Sequence, residues 1–96
     1  RVLIYAGDVD FICNWLGNKA WTLALEWSGK DGFNAAADHA WDPSTSESTP
    51  DAPTGVARSY GGLTFLQMHG CGHMVPRDNP TGALGMIEDF LAGKPF

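Results

Sequence analysis

Val2-Leu3-Ile4-Tyr5-Ala6-Gly7-Asp8-Val9-Asp10 is the stretch on which the fold turns. Val2 to Tyr5 is an apolar run with β-branched members, the pattern of a strand buried on both faces. Two aspartates stand at its carboxyl end, where functional groups collect in an open α/β sheet. Arg1 directly precedes the run, so the chain reads as one that opens inside its own sheet: a fragment, a processed chain or a trimmed one.

Outward from this strand, Gly7 to Asn14 reads as a loop. Trp15, Leu16, Ala20, Trp21, Leu23, Ala24 and Trp27 then follow at spacings compatible with an amphipathic helix, and Ser28-Gly29 offers a stop. Strand, short polar loop and returning helix open an α/β layer. Gly32 to Trp41 has a weak pattern, fit for a short helix or a packed loop. Residues 43–55 read Pro-Ser-Thr-Ser-Glu-Ser-Thr-Pro-Asp-Ala-Pro-Thr-Gly, an exposed loop with three prolines against regular structure and a site for proteolytic nicking.

Val56 to Tyr60 and Leu63 to Met68 fit two strands joined by Gly61-Gly62, glycines that supply the positive φ values of a two-residue turn. The second strand leads directly to Gly70-Cys71-Gly72-His73-Met74-Val75-Pro76. Asn79-Pro80 reads as the N-cap and first residue of a last helix, with Leu84, Ile87 and Leu91 as its apolar face and Gly93 at its end.

Composition narrows the field. With 96 residues the chain makes at most one small domain. Four Trp, five Phe and two Tyr are more aromatic bulk than so small a core readily hides, so some rings are expected to face a partner surface. A net charge of −5 opposes a phosphate-tracking surface, and nucleic acid is not expected as a ligand. No apolar run approaches the roughly 20 residues that span a bilayer, and neither a leader nor a membrane is expected. Cys13 and Cys71 are too few for a disulfide framework and leave the redox compartment undecided.

His73, on a tight glycine-flanked loop, reads as a solvent-reachable imidazole suited to moving protons near neutrality. If the strands bearing the aspartates and His73 are neighbours, a carboxylate can accept a hydrogen bond from one ring nitrogen and leave the other free as a base. On residue type alone, an equally plain reading has Asp8 and Asp10 capping turns and His73 as a surface residue. His69, Cys71 and His73 alternate, as ligands of a soft metal would on a flat strand, but the glycines favour a bend and no metal is expected. Cys13 and Cys71 read as small hydrophobes, with a thiol nucleophile beside His73 as the alternative. The serines are Ser28, Ser44, Ser46, Ser48 and Ser59, and none lies in a Gly-x-Ser-x-Gly elbow.

The run from Ile4 to Trp21, together with Gly72-His73-Met74-Val75-Pro76 and the helix after it, closely resembles the C-terminal part of serine carboxypeptidases, nearest the fungal carboxypeptidase Y-like group. The resemblance covers the chain apart from about residues 29–53. It implies an α/β-hydrolase fold, with residues 1–96 as a C-terminal segment whose sheet is incomplete on its own, and release of C-terminal amino acids from peptides. Asp10 matches the catalytic aspartate and His73 the catalytic histidine of a Ser-Asp-His triad; Asp8 would be a structural neighbour. Ile12 and Cys13 match residues lining the acyl-side pocket, and Met74 one lining the leaving-group pocket.

Cys71 departs from the small residue usual in the family and makes a local redox bond conceivable. The resemblance further implies a serine supplied by an N-terminal remainder or separate chain, a peptide substrate, no cofactor, and a vacuolar, lysosomal or secreted location. The alternative is a non-catalytic α/β-hydrolase remnant serving as a binding or regulatory piece.

Overall fold

A computed structural model describes residues 1–45 and 52–96. The elements run β1 (Val2–Gly7), α1 (Trp15–Ala24), α2 (Lys30–Ala35), β2 (His39–Trp41), β3 (Gly55–Tyr60), β4 (Leu63–Met68), α3 (Val75–Asp78) and α4 (Pro80–Ala92). The four strands form one sheet in the order β1-β4-β3-β2. β1 runs parallel to β4, from Val2 opposite Leu63 to Gly7 opposite Met68, while β3 is antiparallel to both β4 and β2.

The strand buried on both faces is β4, not β1. Leu63 and Phe65 pack on one side with Phe33, Trp15 and Leu23, and Leu66 and Met68 on the other with Val75, Ala83 and Met86. Among the described residues β1 has a strand partner on one side only, and Val2 is 52% exposed and Tyr5 41%. An apolar run reports that both faces seek cover, not that this chain supplies it.

The Gly61-Gly62 turn forms as the sequence predicts, with φ of 54° and 89°, the two positive values that a twist-matched hairpin requires. Asn14 caps α1 by accepting from the Gly17 amide at 2.8 Å. α1 ends at Ala24, a turn earlier than the apolar spacing implies, because Leu25 is already extended. Trp27, outside the helix, still packs against the sheet. The weakly patterned Gly32-to-Trp41 stretch divides between the end of α2 and β2.

α4 begins where Asn79 accepts from the Gly82 amide at 2.8 Å and ends at Gly93 in the left-handed conformation. Its expected apolar face is the wrong one: Leu84, Ile87 and Leu91 are 61%, 45% and 73% exposed. The face turned inward carries Gly82, Ala83, Gly85, Met86 and Asp89. Small residues let α4 lie close; a Cβ on Gly85 would stand 2.3 Å from Pro43. Within residues 43–55, Pro43 is buried and Gly55 is buried in β3, Pro53 and Thr54 are half-buried, Ser44, Thr45 and Ala52 are exposed, and residues 46–51 lie outside the described residues. No helix among the described residues is long and apolar enough to cross a membrane.

Candidate active site

The parallel register sets the site. It carries past the strand ends, where the Asp8 amide donates to the Met68 carbonyl at 3.0 Å, so Asp8 falls opposite His69 and both loops leave the sheet at its carboxyl edge. Two residues on, Asp10 meets His73, with Asp10 Oδ2 2.9 Å from His73 Nδ1. The loop bearing His73 passes directly over Gly7, and the Val9 amide donates to the Cys71 carbonyl at 3.0 Å.

Asp10 is held from behind. Its Oδ1 accepts from the amides of Ile12 at 3.1 Å and Cys13 at 3.0 Å, which leaves Oδ2 for the imidazole. The His73 bond, assisted by these amides, holds the carboxyl below its usual range against the opposing effect of burial. An ionised carboxylate only accepts, so His73 Nδ1 must carry a proton, and in the neutral ring Nε2 presents a lone pair. The exposures suit these tasks, with the Asp10 side chain 8% exposed and the His73 side chain 69%.

A cleft of about 600 Å³ opens at the pair, lined by Val9, Asp10, Phe11, Ile12, Cys13 and His73. Ile12 and Cys13, predicted to line a pocket, are thus beside the imidazole, and Phe11, 92% exposed, joins them unanticipated. A second cleft, of about 320 Å³ and more polar, reaches from His73 and Asp10 to Tyr5 and Asn18. Asn18 supports this wall by donating to the Cys13 carbonyl at 3.0 Å. Met74 is exposed next to His73 in sequence and is absent from the lining of both clefts. Among the described residues no serine lines either one; Ser44 is held by Asp89, and Ser59 pairs with Thr64.

The cysteines separate clearly. Both are free thiols, Cys13 exposed and Cys71 buried. Burial first, then the charges of Asp78 and Asp8, push the Cys71 thiol up, which disfavours its thiolate as a nucleophile. The alternation of His69, Cys71 and His73 is broken because Cys71 turns into the core and donates to the His69 carbonyl. Asp10, Cys13 and His73 instead bring one potential ligand atom each within 4.8 Å of one another, two of these residues being already paired. His69 pairs with Asp8, Nδ1 to Oδ2 at 2.8 Å, a contact that only the strand register reveals.

Comparison with known proteins gives the family. A family model described as serine carboxypeptidase matches residues 1–93. The chain is 53% identical over 95 residues to carboxypeptidase Y homolog A of Sordaria macrospora, covering 99% of this chain and 16% of that protein. It is 48% identical over 94 residues to serine carboxypeptidase 3 of Triticum aestivum, covering 98% of this chain and 18% of the relative. The crystal structure of Kex1(delta)p, a prohormone-processing carboxypeptidase from Saccharomyces cerevisiae, superposes with a TM-score of 0.76 at 29% identity, covering 97% of this chain and 20% of that one. The chain therefore spans about a sixth to a fifth of the length of these relatives, and its mixed sheet is part of an α/β-hydrolase fold. Matched along nearly its whole length in sequence and in shape, the chain belongs to the serine carboxypeptidase family.

Proposed function

We propose that this chain supplies the histidine base and its orienting aspartate of a Ser-Asp-His triad, and that the complete protein releases C-terminal amino acids from peptides. The observation that carries the reading is the 2.9 Å contact between His73 Nδ1 and Asp10 Oδ2, with the ring open to solvent and the carboxylate shielded. The nucleophile is a serine on an N-terminal remainder or separate chain that completes the sheet, and the substrate is a peptide with a free C-terminus. Vacuolar, lysosomal or secreted placement accompanies the family resemblance.

The chemistry follows from the tautomer. His73 Nε2 takes the serine proton as the oxygen attacks the scissile carbonyl, and the imidazolium formed is stabilised by Asp10 through Nδ1. The same Nε2 proton passes to the departing amine as the carbon–nitrogen bond breaks. In deacylation Nε2 takes a proton from water and returns it to serine. Ile12 and Cys13 line the acyl side of the cleft; Met74, outside both clefts of this chain, belongs to the leaving-group side by the family resemblance alone.

The test is amino-acid release by the full polypeptide carrying this chain. Blocked peptides with a free C-terminal carboxylate are compared with their amidated counterparts and with esters. Release from the free acids, lost in a His73→Ala variant, is the expected result. Ester cleavage without release of amino acids would point to another reaction of the same fold. No turnover of either substrate would favour the non-catalytic remnant.

A further inference from the structure

The Asp10–His73 pair has a neighbour built on the same plan. Asp8 places Oδ2 2.8 Å from His69 Nδ1 and accepts with Oδ1 from the Gly70 amide at 2.8 Å. Asp10 likewise uses one oxygen on backbone amides and the other on an imidazole Nδ1. One amide of the opposite loop at Asp8, and two of its own loop at Asp10, fix the plane of the carboxylate, and the other oxygen meets a ring from the opposite loop.

The two pairs differ in openness and position. The Asp8 and His69 side chains are 21% and 36% exposed, and the pair stands at the stem of the loop, where the strand register still holds. His73 lies four residues beyond His69, across Gly70 and Gly72. Gly70 has φ 67° and open space around it, so little but hydrogen bonding fixes the path of the chain there. Asp10 is anchored by its own loop through Ile12 and Cys13, and of the two it is His73 whose position depends on how the other loop is tethered.

We propose that Asp8 and His69 are positioning residues: their pair clamps the stem of the His73 loop to the β1 loop and so sets the approach of His73 to Asp10. The proposal rests on the reading of Asp10 and His73 as the proton relay. Neither Asp8 nor His69 has to touch substrate or exchange a proton with it. Two further ties complete the clamp, Val9 N–H to the Cys71 carbonyl at 3.0 Å and Gly72 N–H to Asp78 Oδ2 at 2.8 Å. Of the ties, the Asp8 carboxylate alone holds both a backbone amide and a side chain of the loop. A displacement near 1 Å in a catalytic group costs about 10²-fold in rate, which sets the scale of the expected effect.

Asp8→Ala, His69→Ala and the double variant are made in the full polypeptide, with rates normalised to folded, titratable active sites. Each single variant is expected to lose about 10- to 100-fold in kcat with KM within twofold. The double variant should lose no more than the worse single one, because either change opens the same clamp. Asp8→Asn is expected to recover most of the rate, since its carbonyl still accepts from Gly70 and its amide donates to a neutral His69. Where Asp8→Ala fails to fold, His69→Ala alone gives the same reading, with His69→Gln, whose amide can still donate to Asp8, as its rescue.

NMR of the protein labelled with ¹⁵N-histidine follows the His73 ring without need of turnover. Opening the clamp should remove the single Nδ1–H tautomer that the Asp10 bond selects and leave a mixture. Should the wild type turn over no peptide, the function proposed above has failed and this spectrum alone decides the positioning role. An unchanged kcat in folded Asp8→Ala and His69→Ala enzymes, or in the absence of turnover an unchanged His73 tautomer, would overturn the proposal.

Discussion

The carbonyl oxygen of Cys71 lies 2.1 Å from where a Cβ on Gly7 would stand, and that of Gly72 lies 2.4 Å away. The last residue of β1 and the loop that delivers the base are therefore in direct backbone contact, and only glycine fits between them. Gly7→Ala must lift the His73 loop or bend the strand. We expect a loss of about 1–3 kcal/mol in stability and, in the full polypeptide, a fall in peptide release larger than that loss explains. Denaturant unfolding and kcat measured on the folded fraction check this together.

Acid should weaken the protein through its paired carboxylates. Burial pushes Asp8, Asp38 and Asp89 up, but their hydrogen bonds and partner charges more than offset it. Asp10 is held low chiefly by His73, and all four lie below the usual value of 3.8. A group depressed in the folded state contributes stability above its unfolded pKa of about 3.9, and that contribution is lost as pH falls through the folded value. Asp89, 2% exposed and bonded to the Ser44 amide and hydroxyl, is the clearest case. Asp89→Asn is expected to cost about 2 kcal/mol near neutrality, a gap that closes below about pH 4. Unfolding curves at a series of pH values measure it; a gap independent of pH would contradict the assignment.

Thiol reagents should distinguish the two cysteines. Cys13 is exposed at the cleft, whereas Cys71 is 1% exposed with its thiol pushed up by burial. Native protein treated with a disulfide reagent is expected to label at Cys13 and not at Cys71, and denatured protein at both. Peptide mapping reads the outcome. A bulky adduct on Cys13 should also impede peptide release by filling the cleft that His73 shares.

The outward face of α4 sets a further expectation. Leu84 and Ile87 line an apolar groove with Tyr5, Pro76 and Pro80, and Leu91 lies beyond it with 73% exposure. So much uncovered apolar surface favours association. The isolated 96-residue chain should self-associate in size-exclusion chromatography, and Leu84→Glu with Ile87→Lys should shift it towards the monomer. A monomeric wild-type chain would contradict this expectation.

Sequence reading succeeded where one residue type answers one backbone demand. Gly61-Gly62 meets the two positive φ angles of the hairpin, and Asn79 with Gly93 brackets α4. Asp10 and His73 were legible as a pair because a carboxylate and an imidazole at the ends of neighbouring strands have one obvious relation, and the family resemblance named the same two. Which apolar face is covered was not legible. The spacing of Leu84, Ile87 and Leu91 is that of any buried stripe, while the face that packs is built from glycine and alanine, which periodicity underweights. For the same reason β1 reads as buried on both faces, although this chain leaves Val2 and Tyr5 exposed. Asp8–His69 escaped notice because it depends on a strand register that no local pattern encodes.

In the proposed mechanism Asp10 makes His73 a base by fixing its tautomer. Asp10→Asn, in the full polypeptide, tests this most directly, because the amide preserves shape while withdrawing the charge and presenting a donor to Nδ1. We predict a fall of about 10⁴-fold in kcat for release of a C-terminal amino acid, with the fold intact by circular dichroism. A rate within about tenfold of wild type, a free-energy change of only 1.4 kcal/mol, would contradict the account.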